Sequence, residues 1–212
     1  MIARELSKEP LTNIVLDKLF DVGNIPPKFR RCTPKQVPDN VSYKSMLEDW
    51  TKNIKKYVDA GKWLIMYGPF GTGKTATAAM ILREVLLHNG SAFMMDQNEL
   101  VDYKLNSANV SFGSFALEDV VKNSNILMLD DVGSGRDKDI VVELIEWVCV
   151  ARYNHKKSLI ITTNLDVYGS KIKQFFTGKV LSMFHEMGII LKMDEYEWRV
   201  EMGKEKENEE SE

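Results

Sequence analysis

Gly68-Pro69-Phe70-Gly71-Thr72-Gly73-Lys74-Thr75 satisfies the pattern G-x-x-x-x-G-K-[ST] at every specified position. The flanks decide how the match is read. Trp63-Leu64-Ile65-Met66-Tyr67 is an apolar run of strand length, and Ala76–Leu87 reads as a helix. An ordinary glycine-rich turn is the bland alternative, and this strand–loop–helix context disfavours it. Three glycines allow a backbone tight enough to turn successive N–H groups toward one anion. The positive end of the following helix adds to the attraction. These eight residues and Ala76 would line the phosphates of a nucleoside triphosphate. Lys74 would meet the β- and γ-phosphates, and the Thr75 hydroxyl would ligate Mg²⁺.

Two further strands extend the pattern. Ile126-Leu127-Met128-Leu129 is apolar and runs into Asp130-Asp131, which lies 56 residues after Lys74. Two acids at the tip of a buried strand suit a metal site at the carboxyl edge of a parallel sheet. Asp130 would hold Mg²⁺, directly or through water, and Asp131 would orient and deprotonate an attacking water. Leu159-Ile160-Ile161-Thr162-Thr163 is the other strand, and it ends at Asn164. An amide there could position the water and report the γ-phosphate. Taken alone, Asp-Asp and a strand-terminal Asn are ordinary turn signals. Their order behind a phosphate loop gives them weight.

The remaining chain fits around these strands. Ser91–Met95 and Ile189–Met193 read as two more strands, and helices are expected at Gln97–Leu105, 117–122, 137–153, 167–176 and 179–187. Strand and helix alternate, so the fold class is α/β, with three layers around a mostly parallel sheet. Upstream, Pro10–Asp21 has the spacing of a short helix, followed by four prolines between Pro26 and Pro38. Ser42–Ala60 shows apolar positions every three or four residues and predicts one continuous helix. The expected organisation is an N-terminal helix and linker over 1–40, a core over 41–194, and a disordered tail over 195–212.

Composition sets outer limits. The 212 residues are 44% hydrophobic and 28% charged, which describes one soluble domain. Apolar runs are too short for a bilayer, the N-terminus has no secretory signature, and Cys32 and Cys149 lack metal spacing. A cytoplasmic protein is expected. The net charge of −3 hides an asymmetry: residues 194–212 hold nine acids and three bases, leaving 25 bases against 22 acids before them. Basic clusters at Lys28–Lys35 and Arg152–Lys179 could meet nucleic-acid phosphates or simply be solvated.

Together, Gly68–Thr75, Leu129-Asp130-Asp131-Val132-Gly133 and Thr162-Thr163-Asn164-Leu165 resemble AAA+ ATPases, and within them the DnaC/DnaI helicase loaders and the related IstB transposition helpers. Ile25-Pro26-Pro27-Lys28-Phe29-Arg30 resembles the segment those proteins carry before the ATPase core. Ala151-Arg152-Tyr153 resembles their Arg-Tyr pair. The resemblance implies a five-stranded P-loop sheet ordered 5-1-4-3-2 and nucleotide-bridged self-association. It implies hydrolysis of ATP with Mg²⁺, and placement of a replicative hexameric helicase on single-stranded DNA. It also implies that Ile25 lies near the adenine.

Two departures stand out. About forty residues precede the core helix, fewer than a loader's usual helicase-binding region. The trans-acting arginine of the family aligns with Met183, with Lys179 one turn earlier. Of seven arginines, Arg152 is the best candidate finger by motif, and Arg136 is a second. Hydrolysis is therefore expected to be slow without a partner. A transposition helper and an ATP-gated regulator of a helicase remain open beside the loader. A small-molecule kinase ranks last, because no arginine-rich lid follows the core.

Overall fold

The computed structural model describes residues 13–105, 116–134 and 138–198. Five strands form one sheet: β1 (Trp63–Tyr67), β2 (Ala92–Asp96), β3 (Ile126–Val132), β4 (Ser158–Thr163) and β5 (Gly188–Lys192). Their order is β2-β3-β4-β1-β5 and every pairing is parallel, as the expected 5-1-4-3-2 arrangement requires. Every residue of β1 and β4 is buried, which follows from their central places in a sheet covered on both faces.

Alternate residues of the strands feed two apolar clusters, one on each face. Trp63, Ile65, Leu127, Leu129 and Ile161 join one cluster with α7 (Lys138–Asn154) and α8 (Gly178–Met187). Leu64, Met66, Met128 and Ile160 join the other, with α2 (Lys44–Lys52) and α4 (Lys74–Leu87). Helices α5 (Gln97–Leu105) and α6 (Leu117–Asn123) complete the alternation. Helix α1 (Asn13–Val22) packs on the same body, burying Val15, Leu19 and Phe20. Beyond it, Met94 N–H donates to the Gly23 carbonyl at 2.9 Å, so the N-terminal segment covers the β2 edge.

Three expectations change. Ser42–Ala60 is two helices, α2 and α3 (Ile54–Asp59), because Asn53 leaves helical geometry at φ −112 and ψ 29. Its side chain donates to the Asp49 carboxylate at 2.8 Å, one turn back. The Trp50 and Tyr57 rings stack across the break at 4.4 Å, so the periodicity survives although the helix does not. The expected helix at 167–176 is only a 3-10 turn, Ser170–Gln174. The proline-rich linker is structured, with short 3-10 turns at Pro27–Phe29 and Pro34–Gln36 and buried Val37 and Val41. The expected disordered tail lies outside the described residues except for 195–198, and so does Arg136. Among the described residues no helix is long and apolar enough to cross a membrane.

Candidate functional site

The carboxyl ends of β1, β3 and β4 converge, and each delivers one of the quoted motifs. From β1 the chain turns through Gly68, Gly71 and Gly73, all at positive φ (146, 84 and 86), before α4 begins. At Gly68 no side chain is possible: a Cβ there would lie 2.1 Å from the Met193 carbonyl oxygen. Helix α4 starts at Lys74, two residues earlier than the sequence suggested. The opening turn of a helix presents N–H groups that the helix itself does not use, so the start of α4 lies where an anion would be held.

Lys74 is buried, and its Nζ donates to the carbonyls of Gly68 at 2.9 Å and Pro69 at 2.7 Å. It also donates to Asn164 Oδ1 at 2.8 Å, and Asn164 Nδ2 donates to Asp131 Oδ1 at 2.5 Å. A continuous chain of hydrogen bonds therefore joins all three motifs. Beside it, Thr75 Oγ1 donates to Asp130 Oδ1 at 2.9 Å. The structure thus brings together Lys74, Thr75, Asp130, Asp131 and Asn164.

Local backbone irregularity explains why two consecutive acids reach one site. In regular β3, Asp130 and Asp131 would point to opposite faces. Instead the register slips between Leu129 and Val132 and Asp131 takes φ 52, a bulge that re-aims its side chain. Thr162 holds this shape, accepting from the Asp131 N–H at 2.9 Å and donating to Asp130 Oδ1 at 2.5 Å. Gln97, also buried, accepts from the Gly133 N–H at 2.7 Å behind the bulge. Sequence reasoning missed both residues. A Thr inside an apolar strand reads as a β-former, and nothing along the chain pairs Gln97 with Gly133. Burial raises the Asp130 pKa above its ordinary 3.8, opposed by the hydroxyls of Thr162 and Thr75, while the charges of Asp131 and Asp96 push it further up.

The Mg²⁺ and nucleotide fit can be tested on these atoms. Thr75 and Asp130 place two hard oxygens side by side at the mouth of the loop. Among the described residues no group of three His, Cys, Asp or Glu side chains gathers for a metal. Mg²⁺ asks for less, since phosphates and water supply most of its ligands. The donor set fits.

Other expected site residues fall elsewhere. Arg152 is fully buried at the opposite, amino edge of the sheet. Its guanidinium donates to the carbonyls of Val121, Ser124, Asn125 and Ser158, tying α6 and α7 to the starts of β3 and β4. A cation so enclosed cannot reach across an interface, so Arg152 is no finger. Met183 is buried in the core, while Lys179 is exposed and lies 3.3 Å from Glu146. Ile25 is 1% exposed, its N–H and carbonyl both used within the segment, by Phe20 and Arg30. Its side chain therefore offers no surface to a base. The aromatics Phe176 and Tyr153 are engaged within the fold: Phe176 is buried, and the Tyr153 hydroxyl donates to Glu186 at 2.9 Å. Among the described residues the exposed aromatics are Phe70 and Tyr168, each 69% accessible, and Tyr168 precedes exposed Lys171 and Lys173.

Comparison with known proteins agrees with this geometry. The chain matches the family model "ATPase family associated with various cellular activities (AAA)" over residues 64–179, more than half its length. No curated protein sequence matches it. Among solved structures it is similar to the DnaC helicase loader, at TM-score 0.66 and 26% identity, covering 80% of this chain and 100% of that one. It is similar in fold to DnaI, at TM-score 0.62 and 20% identity over 82% of this chain and 93% of that one. Replication initiator DnaA bound to AMPPCP and single-stranded DNA shares the fold at TM-score 0.63 and 18% identity, over 87% of this chain and 56% of that one. From loop, sheet order and family match together, the chain belongs to the AAA family of ATPases.

Proposed function

We propose that this chain is an ATP-dependent loader of a hexameric replicative helicase, acting in the cytoplasm at the start of DNA replication. The observation that carries the reading is the hydrogen-bonded chain Lys74–Asn164–Asp131 beside the Thr75–Asp130 pair, in a chain 26% identical to the DnaC helicase loader. Lys74 exchanges the Gly68 and Pro69 carbonyls for phosphate oxygens when ATP binds. That exchange also frees Asn164 to hold a water in line with the γ-phosphate. Asp131 orients that water and takes its proton as the new P–O bond forms and ADP leaves. Thr75 and Asp130 hold Mg²⁺, which when bound neutralises charge developing on the phosphates.

Single-stranded DNA has a complementary surface in Tyr168, with Lys171 and Lys173 on the adjoining turn: a ring for a base and two cations for phosphates. Buried Met183 and Arg152 leave Lys179 as the exposed cation of α8, and a lysine lacks the planar fork of an arginine. That observation favours slow turnover until a partner supplies the missing group, and keeps an ATP-gated helicase regulator as the second reading. ATP turnover is measured for the chain alone, with single-stranded DNA, and with DNA plus a replicative helicase, against Lys74→Ala. Turnover that rises with DNA and helicase and vanishes in the variant supports the loader. Tight ATP binding without turnover under any condition removes the motor and leaves the gated regulator.

A further inference from the structure

After β5 the chain turns back over the phosphate loop. Met193 N–H donates to the Tyr67 carbonyl at 2.8 Å, carrying the strand pairing one residue past the sheet. The Glu195 carboxylate accepts from the Ser42 N–H at 2.7 Å, which fixes the segment to the start of α2. The Tyr196 ring meets Trp198 edge-on at 6.0 Å. Trp198 is 7% exposed, and its indole rests directly on Gly73: a Cβ added there would lie 3.2 Å from Trp198 Cβ and Cε3. Gly73 is the residue before α4, at φ 86, and is the pivot of the loop's final turn.

Two features make this contact more than core filling. Three glycines make a loop that gains much conformational entropy on loosening. Its N–H groups converge only in one backbone form. An aromatic plate laid on Gly73 removes the space into which the last turn would relax, and Glu195 and Met193 anchor that plate on both the N-terminal segment and β1. Resting on the reading that the loop binds nucleotide, we propose that Trp198 is a positioning residue of the phosphate loop. It holds the Gly71–Gly73 turn in its anion-binding form before the ligand arrives. Nucleotide affinity then depends on a residue that touches no phosphate and lies 124 positions after Lys74 in the chain.

The test titrates the full chain with Mg²⁺ and AMPPCP by calorimetry, for wild type, Lys74→Ala, Trp198→Ala and Trp198→Phe, with thermal melts of each ligand-free protein. The expected result is affinity about tenfold weaker in Trp198→Ala and within about threefold of wild type in Trp198→Phe, because a ligand must then order the loop itself. Unchanged affinity in Trp198→Ala overturns the inference while leaving nucleotide binding intact. Absence of AMPPCP binding by wild type overturns the nucleotide reading itself. If Trp198→Ala does not fold, Trp198→Leu is titrated in its place: affinity about tenfold weaker than wild type supports the positioning role, and affinity equal to wild type overturns it.

Discussion

Asp130 keeps its proton more tightly in the fold than in the unfolded chain, because burial disfavours its charge. Protonated Asp130 therefore favours the fold, fully below the ordinary value of 3.8, and that contribution is lost as pH rises through the raised folded pKa. At neutral pH the ionised group therefore weighs against stability. Asp130→Asn is expected to melt higher than wild type at pH 7 without metal, to lose that advantage as pH falls toward 3.8, and to lose Mg²⁺-dependent turnover. Arg152 has the opposite character. Removing its guanidinium strands three buried carbonyls and a part-buried fourth, so Arg152→Ala should cost about 3–5 kcal/mol in urea unfolding. AMPPCP affinity of the folded fraction should stay unchanged, and a changed affinity would restore Arg152 to the site. Sequence alone could not separate these cases. An arginine beside a tyrosine looks the same whether it faces a neighbour or a cage of carbonyls.

At the level of elements, what the sequence made legible was whatever repeats or spans a short stretch. The strands are short apolar runs and the phosphate loop is contiguous, so both could be read directly. The β3 bulge could not, because φ 52 at Asp131 depends on Thr162 from another strand. The α2–α3 break was hidden for a different reason: Trp50 and Tyr57 are seven residues apart, which preserves the helical spacing while Asn53 interrupts the backbone. Their stack joins the two helices, and the Tyr57 hydroxyl donates to Asp49 on the far side of the break. Tyr57→Ala should cost about 1–2 kcal/mol, while Tyr57→Phe, which keeps the ring, should cost well under half as much. Equal losses in the two variants would move the stabilisation from the stack to the hydroxyl.

Across the whole molecule, the N-terminal segment belongs to the core rather than to a detachable arm. Val15, Leu19 and Phe20 are buried, and Gly23 and Asn24 hydrogen-bond Met94 on the edge of β2. Three such side chains are worth roughly 1.5–3 kcal/mol each, a sum comparable to a domain's entire stability. Deleting residues 1–24 should therefore yield a chain that unfolds or aggregates on size-exclusion chromatography. A monomer melting within a few degrees of wild type would show the boundary drawn near residue 40 to be a true one. Sheet order adds a constraint of its own. β1 sits between β4 and β5, pairing Trp63 with Leu159 and Gly188, so both of its neighbours are made long after it. At ordinary rates of protein synthesis the interval before β4 emerges is roughly 5–20 s. Throughout it Trp-Leu-Ile-Met-Tyr is an unpaired, wholly apolar segment on a nascent chain, and the strand that carries the phosphate loop is the one most in need of a chaperone's protection.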